Sequence, residues 1–73
     1  MSVGEVLYYY SGLCGSQDNS KFFELFYRLK DSTFINSRWD GDYYVRTFSC
    51  EDGVYEIWEN TEYGIFHSIK RIA

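Results

Sequence analysis

The spacing of apolar residues changes once along this chain of 73 residues. Four apolar side chains recur at positions i, i+3, i+4 and i+7, which places them on one face of a helix: Phe22, Leu25, Phe26 and Leu29. Asp18, Asn19 and Ser20 are residues that can cap a helix N-terminus, and Lys30 lies where a cation favours the helix dipole. The pattern therefore predicts one amphipathic helix over residues 20–31.

From residue 33 onward, apolar and polar residues alternate with the period of a strand. Four strands are predicted, over residues 33–39, 43–50, 54–59 and 65–72. Asp-Gly turns at 40–42 and 51–53, and a third turn at 60–64, separate them. An earlier strand is predicted over residues 5–11, because Val6, Leu7 and three consecutive tyrosines favour extended backbone; a loop over residues 12–20 follows it.

These elements predict an α+β fold in which one helix packs on a small antiparallel sheet. The element order is β-α-β-β-β-β, and the last four strands form a meander. The helix must cover one face of this sheet, because its Phe/Leu stripe needs an apolar partner. The first strand is expected at an edge or beside the last strand. A chain this short is expected to form a single domain, residues 1–73.

Aromatic residues dominate the apolar content of the chain. Eight Tyr, six Phe and two Trp make up 22% of the residues. A domain of this size cannot bury all sixteen rings, and Tyr combines an apolar ring with a polar tip that suits a half-exposed site. The surplus indicates a binding surface, although the preference of Tyr for strands explains part of it.

The acidic balance of the chain narrows the classes of partner. The formal net charge is −4 and the isoelectric point is near 4.7. Direct binding to a nucleic-acid backbone requires an excess of Lys and Arg, which this chain lacks. It also lacks a polybasic amphipathic segment for a membrane surface. Residues 1–5 carry no positive charge and the apolar run 6–10 is too short for a signal peptide, so we expect a cytoplasmic protein.

The sequence contains no motif for catalysis, for a metal or for a cofactor. His67 alternates with Ile65 and Ile69 in the last predicted strand, and we interpret it as a surface or half-buried strand residue. Cys14 and Cys50 could form a disulfide, but a cytoplasmic setting favours two reduced thiols. These three residues do not have the spacing of zinc ligands. Residues 12–15 lack the ending of a phosphate-binding loop, and residues 40–42 form an Asp-Gly turn and not a calcium loop.

The acidic residues are concentrated in one part of the chain. Residues 40–62 contain seven carboxylates against Arg46 alone, a net charge of −6. Carboxylates interleaved with aromatic rings suit a basic protein surface, because the charges steer association and the rings anchor it. A solvated acidic face is the alternative interpretation. The predicted partner-binding residues are Asp40, Asp42, Tyr44, Glu51, Asp52, Glu56, Trp58, Glu59 and Tyr63.

The sequence therefore predicts a small protein-binding inhibitor or modulator, and not an enzyme. Its composition is common among phage-encoded inhibitors of host defence or nucleic-acid-handling proteins. The sharpest hypothesis is a DNA mimic that occupies the basic surface of a nuclease, a CRISPR complex or a polymerase in the host cytoplasm. Two alternatives stay open: a homo-oligomeric assembly protein that pairs through a sheet edge, and a nucleotide-binding sponge that uses Arg28, Arg38 or Arg46.

Overall fold

A computed structural model describes residues 1–10 and 19–73. Its elements are β1 (Val6–Tyr8), α1 (Ser20–Lys30), β2 (Thr33–Asp40), β3 (Tyr43–Cys50), β4 (Gly53–Asn60) and β5 (Ile65–Arg71). The strands form one antiparallel sheet in the order β1-β5-β4-β3-β2. The predicted α+β architecture with its β-α-β-β-β-β order is confirmed. Most of the predicted loop at residues 12–20, including residues 12–15, lies outside the described part of the chain.

Strand β1 is shorter than the predicted segment 5–11 and lies at an edge of the sheet. It pairs with β5, with Val6 opposite Lys70 and Tyr8 opposite Ser68. The expected position beside the last strand is therefore confirmed. Because only three residues of β1 extend the ladder, this edge offers little backbone for further pairing.

The side chain of Asn19 joins the start of the helix to the backbone of Tyr10, two residues after β1. Its side chain accepts a hydrogen bond from the Tyr10 backbone N–H at 2.9 Å and donates one to the Tyr10 carbonyl at 2.7 Å. Asn19 is the N-cap residue of α1, but its side chain does not cap the helix. The paired amide bonds instead fix the chain at the start of α1 against the end of the first strand.

The core lies between α1 and one face of the sheet. Three helical residues, Phe22, Phe26 and Leu29, are buried against four sheet residues, Phe48, Tyr55, Ile57 and Ile69. Leu25, the remaining member of the predicted stripe, is partly buried at the border of this core. The helix therefore covers the face of β3 that carries Phe48, and the opposite face is not covered by any described element.

A β-bulge in β5 changes which side chains face the helix. The register passes from Trp58 opposite Ser68 to Glu59 opposite Phe66, so that His67 has no partner in β4. Phe66 then packs on Phe26, with ring centroids 4.7 Å apart. His67 does not continue the alternation with Ile65 and Ile69 that the sequence suggested, because the extra residue shifts the phase of the strand.

No helix in residues 1–10 and 19–73 is long and apolar enough to cross a membrane.

Candidate partner-binding surfaces

Two acidic turns meet at one end of the sheet. The β2–β3 turn contains Gly41, whose φ of 61° lies in the left-handed region that favours glycine. The β4–β5 turn follows Asn60, which is opposite Tyr43 in the ladder. The N–H and Oγ1 of Thr61 both donate hydrogen bonds to the Asp42 carbonyl, at 3.2 and 3.0 Å. The two turns are therefore fixed side by side.

We call this end of the sheet the acidic end and define it by Trp39, Asp40, Asp42, Glu62 and Tyr63. All five residues are exposed, and the two rings are the most exposed large side chains among the described residues, with Trp39 at 66% and Tyr63 at 70%. None of the three carboxylates forms an ion pair with another described residue. The acidic end therefore combines uncompensated negative charge with accessible aromatic surface.

Tyr44 also belongs to this region but is partly buried. Its ring lies 5.0 Å from the ring of Trp39, the residue opposite it in the β2–β3 ladder. The Tyr44 ring thus packs against the Trp39 ring and is itself less exposed. The structure brings Asp40, Asp42, Tyr44 and Tyr63 of the predicted set together here.

Glu51 and Asp52 lie at the opposite end of the sheet, in the β3–β4 turn. The eight residues of β3 separate the two ends by roughly 25 Å, at about 3.3 Å per residue. One flat contact with the acidic end cannot include them unless it spans the whole sheet. The predicted set is therefore divided between two ends, which a linear reading of residues 40–62 could not detect.

Glu56 and Trp58 lie on the uncovered face of the sheet, where they form part of a packed network. The Glu56 carboxylate accepts a hydrogen bond from Arg38 at 2.7 Å and one from the Trp58 indole N–H at 3.2 Å. The Arg38 guanidinium also lies 5.7 Å from the Trp58 ring centroid. The Glu56 side chain is only 9% exposed. This carboxylate is satisfied inside the fold and is not presented as a free charge.

Glu59 lies on the face that the helix covers, beside Arg46. The ion pair between them has an N···O distance of 3.4 Å, and both side chains are partly buried. The Nε atom of Arg46 is buried without a hydrogen-bond partner. The Glu59 carboxylate is therefore paired with Arg46 inside the domain and is not free to attract a cation of another protein.

A row of rings crosses the uncovered face. His67 lies between Tyr8 and Tyr43, with centroid distances of 5.8 and 5.0 Å, and Tyr43 lies 5.6 Å from Trp58. Adjacent rings meet at steep angles, the edge-to-face arrangement that aromatic pairs prefer. Beneath them, Val45 is fully buried although no described element covers this face. The rings thus shield the sheet from water in the place of a second layer.

An open cleft of about 720 Å³ lies at the end opposite the acidic end. Its lining residues come from the end of α1, the start of β2 and the β3–β4 turn: Arg28, Asp31, Ser32, Thr33, Ser49, Cys50, Glu51 and Asp52. At its centre the Asp52 carboxylate accepts hydrogen bonds from the Cys50 thiol at 2.9 Å, the Tyr55 hydroxyl at 3.3 Å and Arg28 at 3.1 Å. Asp52 is therefore the organising group of this turn.

The ionisation of Cys50 and Asp52 follows from these contacts. The hydrogen bond from the Cys50 thiol, and then the charge of Arg28, lower the pKa of Asp52. Burial and the hydrogen bond to Asp52 raise the pKa of Cys50. Since the thiolate is the nucleophilic form of cysteine, the structure does not activate this residue. Cys50 is a free thiol, and Cys14 lies outside the described residues.

Replacing Asp52 with asparagine is expected to destabilise the domain near neutral pH and to have less effect in acid. The folded-state pKa of Asp52 is below its ordinary value of 3.8, so its ionised form stabilises the fold above that value and this contribution is lost as pH falls through the folded pKa. Melting temperatures of wild type and Asp52→Asn should differ from pH 5 to 7, and the difference should narrow only as pH falls below 3.8 and through the lower folded-state pKa. Glu51→Gln, which removes a neighbouring exposed charge, is the control. An equal difference in melting temperature between wild type and Asp52→Asn at all pH values would contradict the lowered pKa of Asp52.

Within the described ranges, no group of three or more His, Cys, Asp or Glu side chains is placed to hold a metal ion. Comparison of the chain with protein-family models, with curated proteins and with solved structures finds no match.

Two residues of the acidic end were not in the predicted set. Glu62 belongs to the acidic segment, but its position beside Asp42 depends on the way β4 and β5 return to the same end. Trp39 directly precedes the Asp-Gly turn, and this could have identified it as a ring at a hairpin end. Its exposure depends on β2 being an edge strand, which only the strand order reveals.

Proposed function

We propose that this chain is a small protein-binding inhibitor or modulator that occupies a basic surface of a larger protein. The observation that supports this most strongly is the acidic end, where three unpaired carboxylates lie at the same end of the sheet as two highly exposed rings. Elsewhere, Asp52, Glu56 and Glu59 each have an arginine partner within the domain. Among the predicted residues in the described ranges, Asp40 and Asp42 of the acidic end have no such partner, and neither has Glu51, which stands alone at the opposite end of the sheet.

The two kinds of side chain have complementary roles in such a complex. Exposed carboxylates raise the rate of association with a basic surface and disfavour acidic partners. Trp and Tyr bury large areas at low cost in conformational entropy, which makes them frequent hot spots. Trp39 is held from one side by Tyr44, so part of the ordering of this ring precedes binding. The acidic end can thus supply both steering and anchoring.

The partner we favour is a nucleic-acid-handling protein, such as a nuclease, a CRISPR complex or a polymerase. Such proteins carry basic surfaces that bind phosphates, and clustered carboxylates can compete for the same cations. An anti-defence role for a phage-encoded inhibitor in the host cytoplasm is the specific form of this proposal. The net charge of −4 agrees with a protein partner and disfavours direct binding to nucleic acid.

Charge reversal at the acidic end is expected to abolish partner capture. A triple variant, Asp40→Lys, Asp42→Lys and Glu62→Lys, replaces the attraction with repulsion and should weaken binding by at least about tenfold. Tagged wild type and variant would be used to capture proteins from a bacterial lysate at low and high salt, with identification by mass spectrometry. The affinity of each captured protein would then be measured with and without competing duplex DNA.

A second triple variant provides the matched control. Glu24→Lys, Asp31→Lys and Glu51→Lys change the net charge by the same amount but lie on the helix, at its end and at the opposite end of the sheet. The control should retain a partner that the first variant loses, and DNA should displace that partner. Equal losses for both variants would show that overall charge, and not the acidic end, determines binding. Capture of no protein that DNA displaces would exclude the nucleic-acid-handling partner.

A further inference from the structure

The two edges of the sheet differ in the backbone that they leave unpaired. Strand β1 has three residues at one edge, whereas β2 has eight at the other. Every residue of β2 is exposed, including the apolar side chains of Phe34, Ile35 and Trp39. No described element pairs with the outer side of β2. A long edge strand with exposed apolar residues is a template for pairing with another chain.

Strand β2 contains neither lysine nor proline, two residues that often protect an edge. Its protective features are the charges of Arg38 and Asp40 and one bulge. Its one cation, Arg38, is hydrogen-bonded to Glu56 on its own sheet. A bulge between Phe34 and Asn36 interrupts the ladder near the start of the strand, so the regular part of the edge is residues 36–40.

The register with β3 determines which backbone groups of β2 point outward. Asp40 and Tyr43 flank a two-residue turn as a ladder pair, so they must exchange both of their hydrogen bonds with each other. The alternation of an antiparallel ladder then directs the N–H and C=O groups of Ser37 and Trp39 away from β3. These two residues can form hydrogen bonds to an added strand.

We propose that β2 pairs antiparallel with β2 of a second copy, about a two-fold axis through Trp39. Such an axis places Arg38 of each copy opposite Asp40 of the other. Their side chains can meet, because the two residues that flank Trp39 lie on the same face of the sheet. The two Trp39 side chains then lie opposite each other on the other face. The paired segment is residues 38–40, which lies within the regular part of the edge and does not include the bulge or the turn residue Gly41.

The other registers that satisfy the outward backbone groups are less favourable. With Ser37 opposite Trp39, Arg38 lies opposite Arg38 of the second copy, and like charges directly opposite destabilise a sheet. With the axis through Ser37, the bulged residue Ile35 enters the paired segment. Charge and bulge position therefore select the axis through Trp39. The dimer occupies Trp39 and Asp40 of the acidic end, so it must dissociate before that end binds another protein. Its test uses the isolated chain and is therefore separate from the test of the proposed function.

Sedimentation equilibrium from micromolar to millimolar concentration tests this dimer. The mass of wild type is expected to rise toward twice the 8.7 kDa of one chain. Asp40→Lys converts both Arg38–Asp40 contacts into repulsions and should raise the dimer Kd by about tenfold or more. Glu51→Lys makes the same charge change at the opposite end of the sheet and should leave the Kd within about twofold.

Hydrogen exchange gives a second readout that locates the interface. The Trp39 amide should exchange more slowly as the concentration rises, whereas the Arg38 amide, which faces β3, should not change. A constant mass of 8.7 kDa, with exchange at Trp39 independent of concentration, would overturn the proposal. A dimer that Asp40→Lys and Glu51→Lys weaken equally would overturn it as well, because its interface would then not be β2.

Discussion

Phe22→Ala is expected to remove a large part of the stability of this domain. The Phe22 side chain is 1% exposed, and its ring centroid lies 5.3 Å from Tyr9, which follows β1, 6.2 Å from Phe26 in the same helix and 5.6 Å from Phe66 in β5. Truncation of a buried Phe costs about 3–5 kcal/mol. A chain of 73 residues has a total free energy of unfolding of about 4–11 kcal/mol. Urea denaturation monitored by circular dichroism should therefore show a midpoint reduced by about a quarter or more.

Tyr27→Ala on the same helix is the matched control. It removes a ring of similar size, but Tyr27 is 62% exposed, so the expected change in the free energy of unfolding is within about 0.5–1 kcal/mol. Both substitutions increase the intrinsic helix propensity, which excludes a helix-forming effect as the cause of a difference. If the two variants had the same midpoint, α1 would not be packed as described.

The helix and the meander could be predicted because local sequence determines them. The stripe of Phe22, Phe26 and Leu29 has a helical period, and two Asp-Gly turns delimit β3, which alternates without interruption. The bulge in β5 could not be predicted in this way. Nothing near His67 marks an extra residue, and the shift is stabilised by tertiary packing, since it allows Phe66 to reach the helix.

The candidate site was only partly predictable for a related reason. An acidic segment can be counted along the chain, but the partners of each carboxylate are distant in sequence. Arg28 pairs with Asp52 and Arg38 pairs with Glu56, contacts that depend on the register of the sheet and the position of the helix. The sequence therefore located the negative charge but could not show which carboxylates pair with an arginine of the same domain. The unpaired carboxylates that remain lie in the turns, where no neighbouring strand can supply an arginine.

The two faces of the sheet are stabilised by different means. The helix covers one face with apolar side chains, and rings together with one ion pair cover the other. On the second face, Glu56 is buried among Trp58 and Arg38 without a second layer to exclude water. Such a carboxylate contributes to stability only while its hydrogen bonds are satisfied, because an unpaired buried charge is costly. The Arg38–Glu56 pair is therefore the polar contact on which the uncovered face depends most.

Arg38→Met is expected to cost about 2–3 kcal/mol in the free energy of unfolding. Methionine retains an apolar chain over Trp58 but leaves the Glu56 carboxylate, which is 9% exposed, without its cation. Breaking a fully buried pair costs about 3–5 kcal/mol, and the expected cost is lower here because Arg38 itself is 46% exposed. Arg28→Met, which breaks the exposed pair with Asp52, should cost no more than about 1 kcal/mol.

A double variant, Arg38→Met with Glu56→Gln, should recover part of the loss, because the neutral amide can still accept the Trp58 hydrogen bond. If Arg38→Met and Arg28→Met destabilised the domain equally, Glu56 would be solvated in the folded state and the uncovered face would not depend on this pair.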